Sequence, residues 1–170
     1  MPRILGIDPG LAATGWGVIS GDGGRLACID YGVIRTKASS PTGTRLEVIF
    51  DGVTDIARRY GPAAAGIESI YFTKNISSAI PVAQARGVVL LALSKLGIPA
   101  AEFTPQVIKQ SVVGSGQADK EQVTQMIRIV LGMSDVPRPD HAADALAAAV
   151  SMLHSGKSFG INNGPGNKNR

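Results

Sequence analysis

Apolar and polar positions along the first third of the chain predict a sheet followed by a helix. Short apolar runs bounded by glycine, proline or polar residues are typical of buried strands. Three such runs occur near residues 3–8, 14–20 and 25–36, with 21–24 as a hairpin turn. After Pro41, apolar residues recur at helical spacing until Gly61 and Pro62, so we expect one amphipathic helix between these breakers.

The rest of the chain alternates between helices and strands. Two more apolar runs predict strands at residues 63–67, which end at Glu68, and at 98–103. Helical spacing predicts helices near 77–96, 105–112, 119–132 and 140–154, the first of them interrupted or entered at Pro81. A hairpin run of strands followed by alternating helices and strands predicts an α/β fold, a mixed sheet of about five strands flanked by helices.

Composition suits one globular domain over residues 1–155, because 44% of the 170 residues are hydrophobic and 18% are charged. Residues 156–170 are rich in glycine and asparagine and have no apolar period, so we expect a disordered tail. The tail carries three of the 17 basic residues and none of the 13 acidic ones, so the domain itself is nearly neutral. The net charge of +4 is therefore weak support for nucleic-acid binding.

Cys28 is the one cysteine, so neither an internal disulfide nor a zinc cluster of thiolates can form. A single free cysteine fits a reducing cytoplasm. The N-terminus has no long apolar segment typical of a signal peptide, and the longest apolar run, residues 88–93, is too short to span a bilayer. We therefore expect a soluble cytoplasmic protein that does not contact membranes.

Two of the predicted strands end at a carboxylate, Asp8 and Glu68. Burying a carboxylate costs several kcal/mol unless it is paired, hydrogen-bonded or bound to a metal. The ends of two central strands can lie side by side at a switch point of the sheet. The last helix carries His141 and Asp144 on one face, and its alanine-rich inner face allows it to approach the sheet closely.

These four residues, Asp8, Glu68, His141 and Asp144, predict a site for divalent cations, because crowded carboxylates repel one another unless cations lie between them. Two ions about 4 Å apart can activate a water and steady the leaving oxygen of a phosphodiester. The sequence thus predicts a metal-dependent nuclease. Asp140 is a competing ligand, but an aspartate at the start of a helix is more typical of an N-cap.

Several motifs, in one order along the chain, resemble the RuvC family of bacterial Holliday-junction resolvases. They are residues 5–10 with 14–17, Glu68 with 74–75, residues 84–87, residues 112–114 before Lys120, and residues 143–146. The resemblance implies a ribonuclease-H-like fold and a homodimer that makes paired nicks in opposite strands of a four-way DNA junction. It also implies two Mg²⁺ ions per subunit, and it assigns the acidic site to Asp8, Glu68 and Asp144.

At the position of His141 many relatives have aspartate. Imidazole suits manganese better than magnesium, so Mn²⁺ is a second candidate metal, and the alternative role of His141 is to transfer a proton near neutral pH. The resemblance also implies DNA-binding roles for Tyr71, Lys74, Lys109 and Lys120. Tyr71 matches an aromatic residue that can stack on an unpaired base, and the lysines at 109 and 120 match basic residues near the scissile phosphate. The branch-migration proteins RuvA and RuvB are partners by resemblance alone.

Two other classes of protein share part of this pattern. Asp8-Pro9-Gly10 followed by Thr14-Gly15 is also typical of the phosphate loop of actin-like ATPases and sugar kinases. Those proteins enclose the nucleotide with a second domain, for which 170 residues leave no room. A catalytically silent junction-binding protein is the other alternative, and the complete acidic cluster argues against it.

Overall fold

The computed structural model describes residues 1–21, 24–69 and 75–155. Within these ranges, five strands form one sheet in the order β3-β2-β1-β4-β5. The strands are β1 (Arg3–Asp8), β2 (Ala13–Gly21), β3 (Leu26–Arg35), β4 (Ala64–Glu68) and β5 (Ala100–Phe103). β1, β2 and β3 pair antiparallel, whereas β4 pairs parallel with both β1 and β5. The predicted mixed sheet of about five strands is confirmed.

Five described helices flank the sheet: α1 (Thr42–Tyr60), α2 (Ile76–Lys95), α3 (Pro105–Val113), α4 (Lys120–Val130) and α5 (Asp140–Ser155). Each lies close to its predicted range. Pro81 lies inside α2 rather than at its start. The last strand begins two residues later than predicted, because the Ile98 N–H bonds to the Leu93 carbonyl at the end of α2 and Pro99 has no N–H to donate. Residues 22–23 of the predicted turn and the predicted tail, residues 156–170, lie outside the described residues.

The core lies on both faces of the sheet. On one face, side chains of β1, β2 and β4 pack against α1 and α2, with Leu5, Ile7, Val18, Ile49, Val53, Val89 and Leu93 buried. On the other face, α3, α4 and α5 cover Ile4, Ile19 and Ala64 with Ile108, Ile127 and Leu146. Because side chains alternate along a strand, Asp8 and Glu68 point to the face covered by α5.

Glycines in three strands allow α5 to contact the sheet backbone directly. A Cβ on Gly6 of β1 would lie 1.8 Å from the carbonyl oxygen of Ala145, and one on Gly66 of β4 would lie 2.3 Å from that of Ala148. A Cβ on Gly15 of β2 would lie 1.9 Å from the carbonyl oxygen of His141. The close approach predicted from the alanines of α5 is therefore confirmed, and it fixes the height of this helix above the sheet.

The apolar side chains of α2 are divided between core and surface. Val89 and Leu93 are fully buried, whereas Ile76 is 71% and Leu91 is 55% exposed. By length and composition alone α2 could cross a membrane, but core helices of water-soluble proteins pass the same test. An exposed apolar helix face is also typical of a surface that packs against another protein chain.

Candidate active site

Three carboxylates meet where β1, β4 and α5 come together. Ile7 pairs with Ile67 in the parallel ladder, so the strand ends that carry Asp8 and Glu68 are neighbours. Asp144, one turn into α5, faces them. One oxygen from each of the three side chains lies within 4.8 Å of the other two. The structure thus brings together three of the four residues that the sequence proposes as ligands.

Burial and mutual repulsion shift the pKa values of two of these groups upward. The side chain of Asp8 is buried, and its pKa is raised to about 7, first by loss of solvent and then by the negative charge of Asp144. The pKa of Glu68 is raised to about 8 by burial and by the charges of Asp8 and Asp144. The charge of Lys120 opposes both shifts. Crowded carboxylates that resist ionisation fit a hard divalent cation, which prefers oxygen ligands and relieves the repulsion.

Of the three clustered carboxylates, His141 is hydrogen-bonded to Asp8 alone. Its Nδ1 lies 2.8 Å from Oδ2 of Asp8, and half of its side chain is exposed. It is not among the three residues whose ligand atoms are mutually within 4.8 Å. The arrangement is therefore three clustered carboxylates with a histidine bonded at their edge, rather than four equivalent ligands.

Lys120 lies against the cluster from α4. Its Nζ is 3.2 Å from Oδ2 of Asp144 and 3.4 Å from Oδ2 of Asp140. The helix begins at Lys120 itself, held by a capping box in which Asp119 and Gln122 bond to each other's backbone N–H. Partial burial alone would lower the pKa of Lys120, but the charges of Asp144 and Asp140 outweigh it and the net shift is upward.

The N-cap role expected for Asp140 is wrong. α5 begins at Asp140, and the carbonyl of Pro139 accepts the Ala143 N–H, so the capping position lies one residue earlier. Asp140 instead pairs with Lys120 at the surface.

A cavity of about 200 Å³ opens beside the cluster. Its polar wall consists of Glu68, Asp144, Lys109 and Lys120, and its apolar wall of Pro105, Ile108, Val123 and Ala147. Lys109 is carried by α3, whose start is capped by the Thr104 hydroxyl. Both lysines proposed to bind DNA near the cut thus line the same cavity as two of the carboxylates. Tyr71 and Lys74, also proposed to bind DNA, lie outside the described residues.

A second cavity, of about 400 Å³, lies on the side of His141. Residues 10–13, Arg45, Pro81 and Val82 form the rest of its wall. Arg45 could not be singled out from the sequence, because its position in the first turns of an amphipathic helix is typical of a solvated surface charge. Only the folding of α1 against the loop after β1 brings it near the site.

A known protein family matches most of the chain. The family model described as crossover junction endodeoxyribonuclease RuvC matches residues 4–152. A protein named crossover junction endodeoxyribonuclease RuvC from Treponema denticola is 50% identical over 155 residues, which cover 91% of this chain and 87% of that protein. One of the same name from Chloroflexus aggregans is 46% identical over 162 residues, covering 94% of this chain and 99% of the relative.

Two solved structures are similar to this chain in fold. The structure of T. thermophilus RuvC in complex with Holliday junction substrate superposes with a TM-score of 0.89 at 33% identity and covers 92% of this chain and 96% of that chain. The yeast mitochondrial Holliday junction resolvase Ydc2 superposes with a TM-score of 0.61 at 14% identity, over 89% of this chain and 79% of that one, a likeness of fold alone.

Proposed function

This chain belongs to the crossover junction endodeoxyribonuclease RuvC family, and on that basis we propose that it cuts four-way DNA junctions at the site formed by Asp8, Glu68 and Asp144. It is an endodeoxyribonuclease with a ribonuclease-H-like fold. The observation that carries the assignment of the site is the meeting of three carboxylates within 4.8 Å at the ends of β1 and β4 and on α5. Nicks in opposite strands of the junction would resolve it during recombination and repair.

The site depends on a divalent metal, and we propose Mg²⁺, two ions per subunit, with Mn²⁺ as the alternative. Asp8, Glu68 and Asp144 would hold the ions through their clustered oxygens. When bound, divalent ions make a water more acidic and stabilise the charge that develops on the leaving oxygen of a phosphodiester. The raised pKa values of Asp8 and Glu68 support this assignment, because they reflect a repulsion that cations would relieve.

The remaining residues of the site position DNA and protons. Lys109 and Lys120 line the cavity beside Glu68 and Asp144, where their charges would attract a backbone phosphate. His141, which is oriented by its bond to Asp8, would complete the metal shell or move a proton. Tyr71 and Lys74 stay predictions, an aromatic for stacking on an unpaired base and a cation for the DNA backbone.

Two matched nicks require two sites at a fixed distance, so we propose that the protein acts as a homodimer. The exposed apolar residues of α2, which include Ile76 and Leu91, support a partner on this helix. Sedimentation of the full chain at micromolar concentration tests the proposal, and a monomer would contradict it. Cytoplasmic location and cooperation with RuvA and RuvB are proposed from family membership.

The experiment for the function uses a synthetic four-way junction with Mg²⁺ or Mn²⁺. We expect the wild type to nick opposite strands. Asp8→Asn should bind the junction but cut it at least about 100-fold more slowly. Loss of a residue that orients a metal ligand costs about 10 to 100-fold in activity, and loss of the ligand itself should cost more. Asp55→Asn, which removes an exposed carboxylate of α1, is the matched control and should cut normally. Binding without cutting by the wild type would indicate the catalytically silent alternative, and junction-independent ATP hydrolysis would indicate the kinase-like one.

A further inference from the structure

Two cavities lie near the carboxylate cluster, one lined by α3 and α4 and the other by α1 and α2, helices that pack on opposite faces of the sheet. Lys109 and Lys120 line the one beside Glu68 and Asp144. His141, which bonds to Asp8, lines the other cavity. Arg45 is the one arginine or lysine among the residues that line this second cavity. No ion pair of Arg45 exists within the described part of the chain, so its charge is not neutralised there by a carboxylate of the protein.

A chain of hydrogen bonds fixes the base of the Arg45 guanidinium. Its Nε donates to Oγ1 of Thr36 over 2.8 Å, and that hydroxyl donates to the carbonyl of Leu11 over 2.6 Å. Since Nε is occupied, the four N–H bonds on the two terminal nitrogens are left for a ligand. A planar guanidinium held in this way matches the oxygens of a phosphate and loses little freedom on binding it.

The loop at residues 10–13, which lines the same cavity as Arg45, is fixed as well. The hydroxyl of Thr14 donates to the carbonyl of Gly10 over 2.7 Å and accepts a hydrogen bond from the Gly10 nitrogen over 3.3 Å. The turn is so tight that a Cβ on Gly10 would lie 2.4 Å from the carbonyl oxygen of Ala13. The cavity therefore has a built wall rather than a pair of surface side chains that happen to be close.

We propose that Arg45 binds a backbone phosphate of the cut DNA strand, one that neighbours the scissile phosphate on the His141 side. The inference rests on the proposed function, because a strand that brings a phosphodiester to Asp8, Glu68 and Asp144 must leave the cluster in both directions. Lys109 and Lys120 attract the strand on one side, and Arg45 is the cation placed to do so on the other. Apolar Pro81 and Val82 beside it suit the deoxyribose that follows each phosphate.

Junction binding measured at several salt concentrations tests this site, with every variant made in the Asp8→Asn background so that the DNA stays intact. Arg45→Ala should weaken binding about tenfold and reduce the slope of log K against log salt by about one for each subunit, because one phosphate contact is lost. Arg45→Lys should keep the slope and lose less affinity. Arg58→Ala removes an exposed arginine from the other end of α1 and should change neither quantity.

The salt slope separates a phosphate contact from a structural role, which would change affinity without changing the slope. Equal slopes for Arg45→Ala and Arg58→Ala, with wild-type protein still cutting junctions, would overturn this site and leave the proposed function intact. Failure of the wild type to bind or cut junctions would overturn both. If Arg45→Ala does not fold, Arg45→Gln decides, because its side-chain amide keeps a donor for Thr36 while it removes the charge and the two terminal nitrogens that would bind the phosphate.

Discussion

The Nδ1 atom of His141 lies 2.8 Å from Oδ2 of Asp8, so the first turn of α5 is bonded directly to the end of β1. When Asp8 is ionised, Nδ1 carries the hydrogen of this bond, and the lone pair of the imidazole is then on Nε2. Asp8 thereby orients the ring in the way that carboxylates orient metal-binding histidines in many proteins. The contact brings a nitrogen donor to the edge of the cluster without adding a fourth negative charge.

Replacing His141 should change which metal supports cutting. Magnesium prefers oxygen ligands, whereas manganese accepts imidazole, so His141→Asp is expected to raise the ratio of the Mg²⁺-supported to the Mn²⁺-supported cutting rate by about tenfold. Rates on a synthetic junction with each metal measure the ratio. His154→Ala, which removes an exposed histidine near the end of the same helix, is the control. An unchanged ratio in His141→Asp would mean that His141 acts on protons or on Asp8 alone.

The two aspartates that share Lys120 should differ sharply in importance. Asp140 has 69% of its side chain exposed and contacts Lys120 at the surface, whereas Asp144 belongs to the carboxylate group. An exposed ion pair contributes at most about 1 kcal/mol, so Asp140→Asn should cut junctions within about fivefold of the wild-type rate. Asp144→Asn should be at least about 100-fold slower. Similar losses in the two variants would show that Asp140 is a ligand.

Without metal, the protein should lose stability as the pH rises from about 4 to about 8. The folded-state pKa values of Asp8 and Glu68 are raised to about 7 and about 8, while in the unfolded chain these groups ionise near pH 4. Between these limits the folded state binds more protons than the unfolded state, so increasing pH favours unfolding. We expect the free energy of unfolding in EDTA to fall by about 1 to 4 kcal/mol across this window.

Urea unfolding at a series of pH values measures this loss. The double variant Asp8→Asn with Glu68→Gln should be nearly free of it, since neither replacement can ionise, whereas Glu47→Gln, an exposed change on α1, should behave like the wild type. Adding Mg²⁺ should restore stability more at pH 8 than at pH 5.5, because metal binding competes with protons for the same oxygens. A wild-type curve parallel to that of the double variant would contradict the raised pKa values.

Local patterns predicted most of the elements and part of the site. Asp8 and Glu68 could be found because each ends a short apolar run, and the strand ends of a sheet are local features of the sequence. Contacts between distant elements could not be found in this way. The position of Lys120 between Asp140 and Asp144, and that of Arg45 beside the loop after β1, depend on how α4 and α1 pack. Pro81 lies inside α2 although proline is the residue that a helix interior tolerates least, so its position there could not be predicted from local propensity.

The geometry of the whole site depends on the contact between α5 and the sheet, and Gly6→Ala tests that dependence. The new Cβ would lie 1.8 Å from the Ala145 carbonyl oxygen and 2.7 Å from the Ala149 nitrogen, both backbone atoms that can move only with the helix. We expect a loss of at least about 3 kcal/mol in the free energy of unfolding, since overpacking against side chains alone costs about 1 to 3 kcal/mol. In any protein that still folds, α5 must rise from the sheet and carry Asp144 away from Asp8, so stabilisation by Mg²⁺ should disappear as well. Gly43→Ala, near the start of α1, is the control, because a Cβ there would meet no other part of the structure within 4 Å and the change should not lower the free energy of unfolding. Wild-type stability and an undiminished response to Mg²⁺ in Gly6→Ala would mean that α5 does not hold the metal site against the glycines of the sheet.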